Sequence, residues 1–189
     1  MTRRGLLKVS GEALGGESGT GLCADSLARL AKQVSRASSD IQIAIVVGAG
    51  NICRGQDWQK TSLPQPLADS IGMAATHVNA LAIHARLMIE GTQSVVMGAG
   101  TPVPQVLPFE SMRGRNLLEE GTVLVLSGGT GNPFFPTDTC ATLRAAEVGC
   151  SAVLKATRVD GVYDKDPEKH DDAVKYDSLT FDEALALKL

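Results

Sequence analysis

The chain has 189 residues, 43% of them hydrophobic, and a formal net charge of −3. That length suffices for one sizeable core, and without a cationic excess a nucleic-acid polymer is not an expected partner, because phosphate neutralisation dominates such binding. No run approaches the roughly 20 apolar residues that span a bilayer, and the basic start at Arg3 and Arg4 has no long apolar core behind it, so nothing directs export and a cytoplasmic location is expected.

Apolar runs at residues 6–9, 41–47, 93–97, 122–126 and 151–154 predict strands. Between them, residues 25–35 place Leu27, Leu30, Ala31 and Val34 at helical spacing, and residues 67–89 do the same with Ile71, Val78, Leu81, Leu87 and Met88. Thr137 or Asp138 can cap a helix that runs to Val148 and stops at Gly149, and Thr180 with Glu183 has capping-box spacing ahead of a last helix. Continuous apolar strands alternating with helices predict a mainly parallel sheet covered on both faces, a three-layer α/β/α sandwich. Residues 15–21, rich in glycine, and 98–108, rich in proline, read as surface loops rather than linkers, so residues 1–189 are expected to form a single domain.

Cys23, Cys53, Cys140 and Cys150 are too sparse for a disulfide scaffold and make no C-x-x-C pair or zinc spacing, so they read as reduced thiols. His77 and His84 fall seven apart on one helix face and read as packing residues rather than metal ligands.

Three glycine-bearing segments follow directly on strands: Lys8-Val9-Ser10-Gly11, Gly48-Ala49-Gly50-Asn51 and Gly128-Gly129-Thr130-Gly131-Asn132. In a parallel sheet they gather at the C-terminal strand ends, where open α/β folds bind ligands, and their backbone N–H groups can cradle an anion. Neither the P-loop nor the G-x-G-x-x-G fingerprint is present. Any one of the three is equally well a plain tight turn; the three together at one edge favour a binding site.

Four segments then carry a resemblance: Leu7-Lys8-Val9-Ser10-Gly11-Glu12-Ala13-Leu14, Gly50-Asn51-Ile52-Cys53-Arg54-Gly55, the GTGNPFF run from Gly129 to Phe135, and Lys155-Ala156-Thr157-Arg158-Val159-Asp160-Gly161-Val162-Tyr163. They resemble the signature segments of the bacterial-type UMP kinases of the amino acid kinase superfamily, in register from about Gly5 to the last residue. The resemblance implies the amino acid kinase fold and transfer of the γ-phosphate of ATP to UMP in pyrimidine nucleotide synthesis. It also implies Mg²⁺ carried on the ATP phosphates, a homohexamer, GTP as activator and UTP as inhibitor. An acceptor-binding part is expected over about residues 1–150 and the start of an ATP-binding part over about 151–189, with the family continuing beyond the point where this sequence stops.

Bringing two phosphates to about 3.3 Å costs about 5 kcal/mol per pair of unit charges at an effective dielectric of ~20, so cations are required, while the ionised acceptor needs no strong base. The resemblance gives this work to Lys8 and Arg54, with Lys155 as a second cation and Asp138 as an organiser of lysines. Taken alone, Lys8 is an ordinary strand-end lysine and Asp138 an ordinary helix cap. For ATP the resemblance implies Lys8, Val9, Ser10, Gly11, Gly50, Arg54, Thr157, Tyr163 and Asp166, where Tyr163 has packing as its alternative. For UMP it implies Ala49, Asp69, Thr130, Gly131, Asn132, Pro133, Phe134, Phe135, Pro136 and Thr137. Asp69 can equally be a solvated helix residue, and the two phenylalanines can be core. Gly16, Glu17, Ser18, Gly19, Thr20 and Gly21 match the loop linked to GTP activation, though plain loop flexibility also explains their composition. Ala49 stands where a glycine is usual, and Pro136 replaces a usually polar residue and removes a backbone donor.

Two other readings compete. Another kinase of the superfamily would lack the GTGNPFF segment, and a non-catalytic nucleotide-binding or storage protein on the same fold would lose the phosphate-bridging cations.

Overall fold

Short segments rich in aliphatic residues form β1 (Arg3–Val9), β2 (Ile41–Val47), β3 (Ser94–Gly98), β5 (Val123–Ser127) and β6 (Ala152–Ala156), and a two-residue strand, β4 (Leu107–Pro108), joins them. The structure is a computed structural model and describes residues 3–53, 62–100, 102–157 and 159–187. Among these residues the six strands make one sheet in the order β4-β3-β5-β2-β1-β6, with every pairing parallel.

The helices are α1 (Ala24–Ala37), α2 (Gln65–Ile89), α3 (Ser111–Glu119), α4 (Thr137–Val148) and α5 (Phe181–Leu187). Along α2, Ala75, Thr76, Asn79, Ala80, Ile83 and Leu87 are buried at spacings of three and four, the period that puts them on one face. Gly149 closes α4 in the left-handed conformation at φ 74°, as a glycine after the last turn does.

Alternation along the strands sends side chains to two separate cores. Val9, Ile43, Ile45, Val47, Val123 and Val125 pack with Ala31 and Val34 of α1 and Ala80, Ile83 and Leu87 of α2. Leu6, Ala44, Val46, Leu124 and Leu126 pack on the opposite face with Leu118 of α3 and Cys140, Ala141, Ala145 and Val148 of α4. The predicted three-layer sandwich is therefore present, with α1 and α2 on one face and α3 and α4 on the other.

This layering fixes where a ligand can sit. The chain leaves β2 toward α2 on one face and leaves β5 toward α4 on the other, yet β2 and β5 are hydrogen-bonded neighbours. Their C-terminal ends form the switch point of the sheet, where diverging connections open a crevice.

The chain divides into two compact units, Met1–Ala156 and Thr157–Leu189. The first holds the sheet and its four helices. In the second, Tyr163 and Lys175 form an antiparallel bridge, and the predicted capping box opens α5: the Thr180 N–H donates to Glu183 Oε2 at 2.7 Å and the Glu183 N–H to Thr180 Oγ1 at 3.2 Å.

Several local expectations are corrected. Pro136, not Thr137 or Asp138, occupies the N-cap position of α4, its extended backbone at ψ 162° making the entry. Residues 98–108 are more than a loop: Gly98 ends β3, Val103 bridges Val106, and Leu107 and Pro108 pair with Met97 and Gly98. Near the 15–21 stretch the chain winds into two 3-10 turns, Gly11–Leu14 and Gly16–Ser18, and buries Leu14.

Candidate active site

At the switch point a cavity of about 430 Å³ opens between the β2 turn and the β5 turn. Val47, Ala49, Gly50 and Cys53 line it from β2 and the turn that follows. Gly129, Asn132, Phe135, Pro136 and Thr137 line it from the segment after β5, and Asp69, Gly72, Met73 and Thr76 from α2. Glu12 reaches in from the turn after β1.

The turns approach one another so closely that side chains are excluded. A Cβ on Gly11 would lie 2.5 Å from Gly50 N and from Asn51 Oδ1, so only glycine lets the first turn rest on the second. Gly128 and Gly129 both take positive φ, 73° and 58°, and the Gly128 N–H donates to Thr76 Oγ1 at 2.7 Å. Behind this turn the guanidinium of buried Arg144 donates to Gly129 O at 3.2 Å and lies 4.0 Å over the ring of Phe109. Ala49 is not among the residues with positive φ, so the replacement of a glycine there is accommodated by the backbone itself.

Beside the cavity stand two lysines and a carboxylate. Lys8 and Lys155 are register partners on the neighbouring strands β1 and β6, and Lys8 shares the parity of Leu6, which faces α4. Asp138, one residue beyond the cavity-lining Thr137, lies in the first turn of that helix. Its Oδ1 is 2.9 Å from Lys8 Nζ and its Oδ2 is 3.0 Å from Lys155 Nζ. Burial pushes the Asp138 carboxyl upward, but hydrogen bonds and charge from Lys8 and Lys155 outweigh it and hold the group below its ordinary value. The carboxylate thus stays ionised and fixes both ammonium groups while each keeps further N–H donors for a phosphate.

The GTGNPFF segment is held by hydrogen bonds of its own and by one to α2. Thr130 Oγ1 accepts from Asn132 N at 3.1 Å, Gly131 has φ 82°, and Phe134 takes φ 70°, a conformation a bulky residue keeps only when held. The holder is Asp69, whose Oδ2 accepts the Phe134 N–H at 2.7 Å while its Oδ1 accepts from Gln65 Nε2 at 2.9 Å. Phe134 and Phe135 are exposed, and Phe135 lines the cavity, so neither belongs to a core. Pro133 lies within this segment between Asn132 and Phe134.

The remaining candidates fall in three groups. Val9 is buried in the core, and Ser10 caps the first 3-10 turn by accepting the Ala13 N–H at 3.3 Å. Gly16 and Gly19 have positive φ, Glu17 sits in the second 3-10 turn, and Ser18 bonds Gly15 O and the Thr20 backbone. Gly21 is tied to the β2 turn, its N–H donating to Asn51 O at 2.8 Å. Thr157, Tyr163 and Asp166 belong to the second unit. There Tyr163 donates to Asp160 Oδ1 at 2.6 Å and Asp166 pairs with Lys169 at 2.9 Å. Arg54 lies outside the described residues.

Among the described residues no group of three or more His, Cys, Asp or Glu could hold a metal ion, and no helix is long and apolar enough to cross a membrane. His77 and His84 bond Ser127 Oγ and Ser94 Oγ, both at 2.8 Å, and all four cysteines are free. Glu12, Cys53, Met73 and Thr76 are cavity residues that sequence reasoning missed. The only signal for Thr76 was a polar residue on the buried face of an amphipathic helix.

A parallel sheet that gathers glycine turns at its switch point and sets two carboxylate-bridged lysines beside them defines a phosphate-handling α/β protein. The amino acid kinase family matches over residues 3–188. A uridylate kinase of Magnetococcus marinus is 43% identical over 189 residues, 99% of this chain and 78% of that one, and one of Xanthomonas campestris is 46% identical over 184 residues, 97% and 77%. The chain belongs to the uridylate kinases of the amino acid kinase family. Its fold is similar to the crystal structure of a UMP kinase from Ureaplasma parvum, with a TM-score of 0.94 at 33% identity, covering 100% of this chain and 81% of that one.

Proposed function

We propose that the chain transfers the γ-phosphate of ATP to UMP, giving ADP and UDP for pyrimidine nucleotide synthesis in the cytoplasm. The observation that carries this is the Lys8–Asp138–Lys155 bridge, two ammonium groups fixed side by side next to a glycine-lined cavity. Fixed cations offset the repulsion between two phosphates at no cost of reorientation during the reaction. The acceptor phosphate is already an anion, so positioning and charge are what the protein must supply.

In this reading UMP occupies the cavity between Asp69 and the segment from Thr130 to Thr137, with Ala49 beneath it. ATP lies over Val9, Ser10, Gly11 and Gly50, and Lys8 and Arg54 act on the phosphates; Thr157, Tyr163 and Asp166 keep the ATP roles that the family resemblance implies. Mg²⁺ arrives on the ATP phosphates, where it neutralises charge while keeping most of its water. That suits a chain whose described residues offer no carboxylate cage. Lys8 donates to the transferring phosphate, Lys155 supports it, and Asp138 orients both.

Association into a homohexamer is part of the same proposal, supported by the exposed Leu67, Ile71, Val78, Met88 and Ile89 along α2. So are activation by GTP through residues 16–21 and inhibition by UTP. The test is ADP release with ATP, Mg²⁺ and each of UMP, CMP and AMP, with Lys8→Ala alongside. Turnover specific to UMP and lost in Lys8→Ala is expected; equal turnover in Lys8→Ala removes the proposal.

A further inference from the structure

Three polar side chains of α2, Thr76, His77 and Asn79, point inward and are each more than nine-tenths buried. Each holds a strand end at the switch point. Thr76 Oγ1 takes the Gly128 N–H, His77 Nδ1 lies 2.8 Å from Ser127 Oγ, and Asn79 Nδ2 donates to Gly48 O at 2.7 Å. One turn of helix therefore grips the ends of both β2 and β5 from behind.

Asn79 makes the most of these contacts and has no exposed surface. Its Nδ2 also donates to Asn51 Oδ1 at 2.7 Å, and its Oδ1 accepts from Asn51 Nδ2 at 3.0 Å, so the two amides form a reciprocal pair. Asn51 extends the connection, because its Nδ2 donates to Gly21 O at 2.6 Å while its carbonyl accepts the Gly21 N–H at 2.8 Å. The Asn51 side chain also abuts Gly11, where a Cβ would meet its Oδ1 at 2.5 Å. A single buried pair thus ties α2, the β2 turn, the Gly11 turn and the end of the 16–21 segment.

Resting on the reading of this site as a phosphoryl-transfer centre, we infer that the buried Asn79–Asn51 amide pair is a positioning device for the reaction. Asn79 does not line the cavity and has no exposed surface with which to meet a substrate. It acts through Gly48 and Asn51, fixing the turn that borders the cavity through Ala49 and Gly50. A turn built of alanine and glycine has little stiffness of its own. A displacement of about 1 Å in a reacting geometry costs about 100-fold in rate.

The test compares Asn79→Leu, similar in size but without polar atoms, with wild type and with His84→Phe. His84 is on the same helix, but its bond goes to Ser94 at the start of β3, the far end of the sheet. Asn51→Asp is the second variant, since it keeps an acceptor for Asn79 and loses both side-chain donations. Steady-state turnover with ATP and UMP is measured together with thermal melting. Amide exchange is followed at Gly21, Ile52 and Cys53, whose N–H groups donate within the turn. In Asn79→Leu, kcat is expected to fall about 100-fold, KM for each nucleotide to stay within about threefold, and exchange at the three amides to rise about tenfold. Asn51→Asp should show the same pattern, and His84→Phe should keep kcat within about twofold.

A folded Asn79→Leu with wild-type kcat overturns the inference, as does an equal loss in His84→Phe. Should Asn79→Leu fail to fold, unchanged kcat in Asn51→Asp overturns it alone. Absence of UMP-dependent turnover in wild type defeats the proposed function instead, and unchanged exchange at Gly21, Ile52 and Cys53 then still defeats the role of Asn79.

Discussion

Lys8 and Lys155 face each other across the β1–β6 pairing, and Asp138 receives a hydrogen bond from each, at 2.9 and 3.0 Å. Adjacent parallel strands bring register partners about 4.8 Å apart, a distance at which two ammonium groups repel. The carboxylate converts that repulsion into a fixed pair, which accounts for its placement in the first turn of α4, where the helix dipole also favours an anion.

Asp138→Asn should lower kcat about 100-fold, the loss typical of one fixed electrostatic group. Steady-state assays over ATP and UMP concentration check this. The half-exposed bridge contributes little to stability, so thermal melting should move by only a few degrees.

The same carboxyl gives a pH signature. Its folded value is depressed, so its stabilising contribution is fully present above the ordinary value of 3.8 and is lost as pH falls through the folded value. Urea midpoints of wild type and Asp138→Asn should therefore differ by a constant amount near neutral pH and converge below about pH 3.8. A gap that persists under acid contradicts the assignment.

Asp69→Ala removes the acceptor for the Phe134 N–H and leaves a left-handed phenylalanine unsupported. A charge-assisted hydrogen bond contributes about 1.5–3 kcal/mol, so KM for UMP should rise at least about tenfold while KM for ATP stays within about twofold. Equal changes in both constants would show that the segment serves the two nucleotides alike.

Gly11→Ala tests close approach rather than backbone angle. Its Cβ has backbone atoms of the β2 turn at 2.5 and 2.8 Å, an overlap that costs about 1–3 kcal/mol. The melting temperature should fall by roughly 2–4 °C per kcal/mol, and kcat should fall with it. Gly5→Ala, with nothing within 4 Å, serves as the control.

Thiol mapping checks the burial pattern independently. The Ser26 backbone N–H and then its hydroxyl draw the Cys23 thiol below its ordinary value, whereas burial pushes Cys140 up and Cys150 up to about 11. Alkylation at neutral pH followed by peptide mass spectrometry should label Cys23 first, with Cys140 and Cys150 modified only on unfolding.

Five of the six strands and most helices were legible because their apolar pattern is strong, whereas β4 is two residues within a stretch that reads as a loop; the three glycine turns could be assigned to one edge as soon as the strands were parallel. Helix α3 was not legible: its cap is Glu110, which accepts from Met112 N and Arg113 N at 2.9 and 2.8 Å, and glutamate is not among the usual capping residues. The convergence of Lys8, Asp138 and Lys155 followed from motif resemblance, while their register could come only from coordinates. Asn79 was invisible for a different reason. The period puts a polar residue on the apolar helix face, but the partner that makes it a positioning group stays hidden until the carbonyl it meets, that of Gly48, has been located. Asp69 was legible as a site residue, but its bond to Phe134 depends on a backbone angle that no pattern in the sequence announces.

The pairing of β1 with β6 also sets a timetable. Ser151, just ahead of β6, donates to Arg4 O across 147 positions of chain, so on the ribosome the second partner of β1 is made on the order of 10 s after it, well behind its first partner β2. A nascent chain can complete the walls of the cavity while Lys8 still waits without Lys155. The Lys8–Asp138–Lys155 bridge is then the last part of the first unit to form, and a stalled or cleaved product ending before β6 would carry the cavity with one of its two bridged ammonium groups missing.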